Sequence, residues 1–281
     1  MLIYLRPGLI ILPVLLLLAT VFSACLGSRG FRPKYEFSAA YERRPQFWLE
    51  YHPYPPEQRT DSHPRVRAIP QNEGWTDLRM KRELAQFGQA GFAALLLHVK
   101  PEIMASEHFA ERLQKFHALS SSLAPGMGIA LVLSPGVEGL RLSVQNTMQF
   151  VERLGFLHLP ASLKVQGEPI LFFGGHIELI EDYQGTKRQA SLPEFLHNVQ
   201  NRACTVSVAG PPSEKQPEDL AWRRKKGEFF ASQLQEAFQS KARIIYIKSW
   251  NNYAEDNFME PNSLDQDLMM QILELAQKAL P

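Results

Sequence analysis

Cysteine is almost missing from this chain, with only Cys25 and Cys204 in 281 residues. Two thiols cannot build a disulfide framework, so stability has to come from a packed core, and a hydrophobic fraction of 45% is enough to supply one. Net charge is nearly missing too. Thirty Lys plus Arg face 29 Asp plus Glu and leave +1, which offers no electrostatic hold on a long polyanion, so nucleic acid is not an expected partner. The eight histidines show no His-Glu-x-x-His and no paired-cysteine spacing, no Gly-rich phosphate loop follows a strand, and no Gly-x-Ser-x-Gly elbow occurs. Gly126-Met-Gly-Ile is too bare to cradle a phosphate. By spacing, then, neither a metal nor a cofactor is expected.

A long apolar run occurs only at the start. Arg6 is the one charge before a stretch from Gly8 to Phe22, which leads into Ser23-Ala24-Cys25. A basic start, an apolar core and small residues at the boundary describe a secretory signal. Closing on a cysteine, it resembles the lipobox of bacterial lipoproteins, although Phe22 stands where Leu is usual. The resemblance implies a signal over 1–24, a diacylglycerol on Cys25, and a tether over 25–44 carrying Arg29, Arg32, Lys34, Arg43 and Arg44. Leu26, in place of a retention Asp, implies an outer-membrane lipoprotein facing periplasm or exterior. The alternative is an uncleaved N-terminal anchor, since Gly8 to Leu26 is long enough to span a bilayer. Either reading exports the remainder and ties it to a membrane.

From Phe47 onward, apolar strands alternate with amphipathic helices, the mark of a parallel α/β fold. Strands are expected at 47–51, 92–99, 128–133, 169–173, 204–209 and 243–248. Helices are expected at 77–89, with Leu78, Leu84, Ala85 and Phe87 buried, and at 106–122, 142–154, 192–201, 218–240 and 264–279. Six strands fall short of the eight of a (β/α)8 TIM-like barrel. Either two more are hidden, in the Pro-rich segment after Tyr51 and in 155–165, or the barrel is abbreviated. No boundary divides 45–281.

The densest chemistry follows the last strand: Ser249-Trp-Asn-Asn-Tyr-Ala-Glu255-Asp-Asn-Phe-Met-Glu260-Pro261. The C-terminal end of a strand is where α/β barrels and sheets assemble their sites. This string resembles the signature of the clan that holds the endo-α-mannosidases of glycoside hydrolase family 99, the α-1,3-glucanases of family 71 and a related polysaccharide-locus domain. The resemblance is close over some dozen residues and looser over 45–281. It implies a barrel acting on α-linked polysaccharide, with Glu255 as general acid/base. Asn252 falls on the family's other catalytic acid, and an amide cannot accept that proton. Asp256 or Glu260 from the same loop is then a candidate second carboxylate, since glycosidases use a pair roughly 5 to 9.5 Å apart.

Around Glu255 the expected substrate-binding set is Trp250, Asn251, Asn252, Tyr253, Glu260, His176 and Tyr51. Aromatic faces pack on the C–H surface of a sugar, and the amides orient its hydroxyls. Each has a plainer alternative: Trp250 and Tyr253 as core aromatics, His98 and His176 as core or rim histidines, and Tyr51, His52 and Tyr54 as part of a Pro-stiffened surface loop. The run Arg223-Arg-Lys-Lys226 reads as a solvated helix face. Two functions remain open: a glycoside hydrolase, or a non-catalytic glycan-binding or scaffold lipoprotein derived from one.

Overall fold

The computed structural model describes residues 35–37, 43–54, 67–68, 74–100, 107–133, 144–174, 189–197, 202–211 and 220–281, all within one unit, Tyr35–Pro281. The expected signal, Cys25, most of the tether and His176 lie outside the described residues.

Seven parallel strands form the main sheet. These are β1 (Gln46–Tyr51), β2 (Ala94–Val99) and β3 (Gly128–Leu133), then, after an antiparallel hairpin of β4 (Lys164–Val165) and β5 (Glu168–Pro169), β6 (Leu171–Phe173), β7 (Gln189–Ser191), β8 (Ala203–Ser207) and β9 (Ile244–Lys248). The helices are α1 (Asp77–Gln89), α2 (Glu107–Leu123), α3 (Val144–Arg153), α4 (Leu192–His197), α5 (Leu220–Arg224), α6 (Glu228–Gln239) and α7 (Leu268–Lys278). Across the sheet the order is β7-β6-β3-β2-β1-β9-β8. The last strand lies beside the first, and the chain order runs outward from that junction on both sides. A doubly wound sheet sets a strand from mid-chain beside β1, whereas last-beside-first is the circular order of a barrel.

All six strands read from the sequence are present. The unread one, β7, is only three residues, Gln-Ala-Ser, and has no apolar run to mark it. Residues 155–165 hold a 3-10 turn (Phe156–His158) and the first arm of the β4–β5 hairpin rather than a hidden barrel strand. Among the described residues no strand joins β7 to β8. Helix α4 instead packs against both. It places Phe195 on Trp48 at 5.7 Å between ring centroids and edge-on to Phe172 at 5.1 Å. Among the described residues, then, a helix and not a hydrogen-bonded strand stands between β7 and β8.

Alternation along each strand separates two cores, because successive side chains point to opposite faces. Trp48, Ala94, Leu96, Ala130, Val132, Phe172, Ile244 and Tyr246 cluster on the inner face. Phe47, Leu49, Leu95, Leu97, Ile129, Leu131, Ile245 and Ile247 pack outward under the helices. Helix α1 begins where Thr76 caps the backbone N–H of Arg79 at 3.3 Å. Its buried face is Met80, Leu84 and Phe87, while Leu78 is 76% exposed and Ala85 is exposed as well. Leu78 lies about 200° around the helix from Met80, which corrects the expected set. The 218–240 helix divides into α5 and α6 at Gly227 (φ 88°), where a Cβ would meet Ile272 Cδ1 at 2.3 Å. The basic run there is not a solvated face. Arg223 and Arg224 are buried, and only Lys225 and Lys226 face solvent.

Candidate functional site

At the C-terminal end of the strands the inner face turns from apolar to polar. Alternation on β1 sets Glu50 above Trp48, and on β9 it sets Tyr246 and Lys248 above Ile244. Parallel pairing brings Thr205 level with Tyr246. These groups, with His98, His197, Gly174, Ala203 and the apolar Leu192 and Leu196, line a cavity of about 400 Å3. A larger hollow of about 700 Å3 opens among Gln46, Ala93, Gly128 and Ile244, at the N-terminal end. In barrels that end carries stability rather than chemistry, so the smaller cavity is the candidate.

Glu50 is the centre of the network. Its carboxylate is 2% exposed and accepts the Tyr246 hydroxyl at 2.6 Å. It also meets His52 Nε2 at 2.9 Å, Asn252 Nδ2 at 3.4 Å and His98 Nε2 at 3.7 Å. Burial works to raise its pKa, but the two histidines and the tyrosine outweigh burial and hold the carboxyl at about 2. For His98 burial dominates over the pull of Glu50 and takes the imidazole down to about 4, so at neutral pH the carboxylate is charged and the ring neutral. Burial and Glu50 together push Tyr246 well above the usual phenol range, so it donates.

Glu255 stands at the rim. Its side chain is half exposed and pairs with Lys248 Nζ at 2.9 Å. Burial acts to lower the pKa of Lys248, yet Glu255 and Glu50 raise it. Both carboxylates bear electrostatically on His98 and on Tyr246, and Glu255 touches the cavity through Lys248.

The other loop residues are mostly internal. Trp250 is 1% exposed, edge-on to Phe87 at 4.9 Å, with its indole N–H on Glu83. It belongs to the core and does not line a subsite. Tyr51 points outward under the helices, stacked on Phe116 and donating to Glu83 at 2.6 Å; it lies one residue out of phase with Glu50. Tyr253 stacks on Phe258 at 4.5 Å and donates to Glu260, itself buried. Asp256 is paired with Arg223 at 2.6 Å. Neither Asp256 nor Glu260 is therefore a free second carboxylate. Asn251 presents its amide like a strand partner, giving and accepting 2.9 Å bonds with the backbone of His52. Asn252 both touches Glu50 and accepts from the N–H of Glu255 at 3.3 Å. Of the expected set, then, Asn252 and Glu255 reach the mouth. Glu50, Tyr246 and Lys248 went unread, although a lone Glu in the buried strand Gln-Phe-Trp-Leu-Glu-Tyr and the alternation Ile-Tyr-Lys along β9 both mark the inner face.

No family model and no curated protein matches the chain. Among solved structures it is similar to the family 99 endo-alpha-mannosidase of Bacteroides thetaiotaomicron. The TM-score is 0.59 at 11% identity, over 83% of this chain and 97% of that one. The same enzyme in complex with bis-tris-propane gives 0.55 at 14% identity, with the same coverage of 83% and 97%. At that identity the likeness is one of fold, and the fold is that of a family 99-like barrel.

Proposed function

We propose that this chain is an exported, lipid-anchored envelope protein whose barrel binds and cleaves an α-linked polysaccharide at the mouth lined by Glu50, His98, Tyr246 and Lys248. One observation carries the reading: Glu50 lines the polar cavity at the strand ends, and a second carboxylate, Glu255, pairs at 2.9 Å with Lys248, which lines it too. An oxocarbenium-like transition state is positive, and a fixed, ionised carboxylate in a site shielded from water stabilises it. Glu50 has that character, and it stands against Asn252, where the resembling enzymes carry their second acid. Once an entering sugar hydroxyl takes its place on Lys248, Glu255 takes up a proton from solvent and passes it to the leaving oxygen as the glycosidic bond breaks; a water molecule adds to the anomeric carbon and releases its proton to solvent. Thr205, His98 and Asn252 offer further hydrogen bonds to hydroxyls.

The test incubates the protein with α-mannans, α-glucans and exopolysaccharides and scores new reducing ends. The wild type is expected to release them from at least one α-linked polymer. Glu255→Gln should lose roughly 100-fold or more in rate, the scale of a missing general acid. A Glu255→Gln variant with full activity would remove that residue from the chemistry. The Asn252 amide and the Glu255–Lys248 pair favour a second reading, a non-catalytic glycan-binding protein, which gives saturable binding with no new ends. Anchoring at Cys25 is tested separately. Cys25→Ser is expected to leave the membrane fraction or retain its signal, and a variant that fractionates and matures like the wild type contradicts lipidation.

A further inference from the structure

Spacing in the sequence gives no metal motif, but the fold gathers metal donors from two strand ends. Glu50 sits near the end of β1, His52 follows in the loop, and His98 sits near the end of β2. One donor atom from each lies within 4.8 Å of the others. Ligands on a single zinc-like ion, each at about 2.0–2.2 Å, stand roughly 3 to 3.5 Å from one another. The pairs here are 2.9 Å for His52 Nε2 with Glu50 Oε1 and 3.7 Å for His98 Nε2 with Glu50 Oε2, and the two histidine donors lie within 4.8 Å of each other, so side-chain shifts of up to about 1 Å would enclose an ion.

His52 Nε2 and Glu50 share a 2.9 Å hydrogen bond, whose proton an ion would replace, while His98 is held less closely. Tyr246 gives its single proton to Glu50 Oε2, so it has none for His98 Nε2 at 3.4 Å. The carboxylate, at 3.7 Å, is beyond hydrogen-bond reach. With the proton on Nε2, His98 can give only a long bond to the Tyr246 oxygen at 3.4 Å; with the proton on Nδ1, the Nε2 lone pair receives no proton from Tyr246, and a cation among the three groups would use it.

The surroundings fit a metal site as well. Tyr246 and Asn252 fix Glu50, and Asn251 grips the backbone of His52, the outer support that orients metal ligands. Lys248 opposes a nearby cation, and Glu255 offsets it at 2.9 Å. The cavity of about 400 Å3 borders Glu50 and His98, leaving room for water or ligand to complete the coordination. Two imidazoles with one carboxylate suit a divalent first-row transition metal better than the hard cations Ca2+ and Mg2+, which prefer all-oxygen sites.

We propose that Glu50, His52 and His98 form a binding site for one divalent transition-metal ion of the zinc class, open to the cavity at the barrel mouth. The site does not depend on the glycan reading; with an ion bound, the charge of Glu50 acts on a ligand through the metal.

The test uses the full chain in detergent, stripped with a chelator and titrated calorimetrically with ZnCl2 and separately with CaCl2. One equivalent of Zn2+ should bind and Ca2+ should not. His52→Ala and His98→Ala should each weaken Zn2+ by at least about 100-fold, the upper end of what loss of an outer-shell partner costs. Cobalt absorption of the wild type needs no variant, and it should show the intense visible bands of nitrogen-ligated Co2+. Absence of stoichiometric Zn2+ binding, equal binding by both histidine variants, or a Co2+ spectrum like that of the aqueous ion would each overturn the proposal.

Discussion

Burying Glu50 takes a carboxylate out of water, and Tyr246, His52 and Asn252 offset the cost with hydrogen bonds from three directions. His117 is a buried group without that support. It is 2% exposed, lies edge-on to Phe156 at 5.1 Å, and neither ring nitrogen has a hydrogen-bond partner among the described residues. Burial alone brings its pKa down to about 4. The unfolded chain therefore binds a proton near pH 6.5 that the folded chain refuses until about pH 4, so stability falls as pH falls through that window. The loss amounts to about 3 kcal/mol for His117. His98 is shifted in the same direction and adds to it. Denaturant midpoints between pH 7 and 4 should decline steeply in the wild type and about half as steeply in His117→Leu. An equally steep decline in the variant would show that the ring is not buried neutral. A single residue's phase also explains which site residues the sequence hid. Tyr51 and Glu50 are neighbours, but alternation sends one under the helices and the other into the mouth.

The segment after β9 forms a short antiparallel pair, Asn251–Asn252 with Asn257–Phe258, around a 3-10 turn, and buried arginines hold it in place. Arg223 pairs with Asp256 and donates to the Gly210 carbonyl at 2.7 Å. Arg224 pairs with Asp265 at 2.5 Å, donates to the Phe258 carbonyl at 2.9 Å, and lies 4.4 Å from the Phe258 ring centroid. Ser249 and Asn257 add internal ties. Arg224→Ala leaves a buried carboxylate unpaired and should cost about 3 to 5 kcal/mol, with faster hydrogen exchange concentrated in 250–262. Uniform exchange across the barrel would argue against a local clamp. The motif's position was legible in the sequence, and so was the strand before it. Its inward packing was not, because a run of Trp, Asn, Tyr and Glu looks alike whether its polar atoms meet a ligand or one another.

At the scale of the whole unit, the barrel class followed from the rhythm of strands and helices, and the circular strand order bears it out. The helix that stands between β7 and β8 among the described residues was not legible as a bridge. Short polar β7 gives no hydrophobic signal, and nothing in Leu192–His197 announces that a helix will bridge two edge strands. Phe195 is its main wedge, so Phe195→Ala should destabilise the fold by about 2 to 3 kcal/mol, below the fully buried range because the ring is only partly enclosed. Leu78→Ala, on an exposed surface, should change stability by less than about 0.5 kcal/mol. Thermal melts of the two variants compare them directly, and equal effects would mean that α4 does not seal the interior.

Glycan recognition by this barrel requires a working mouth centred on Glu50. Calorimetric titration of the best-bound α-linked oligosaccharide into the wild type and into Glu50→Gln, with folding checked by circular dichroism, tests it most directly. Saturable binding by the wild type and at least about tenfold weaker binding by a folded Glu50→Gln, a difference of about 1.4 kcal/mol, is the expected outcome. Equal affinity in the two proteins would place any glycan elsewhere and contradict the assignment.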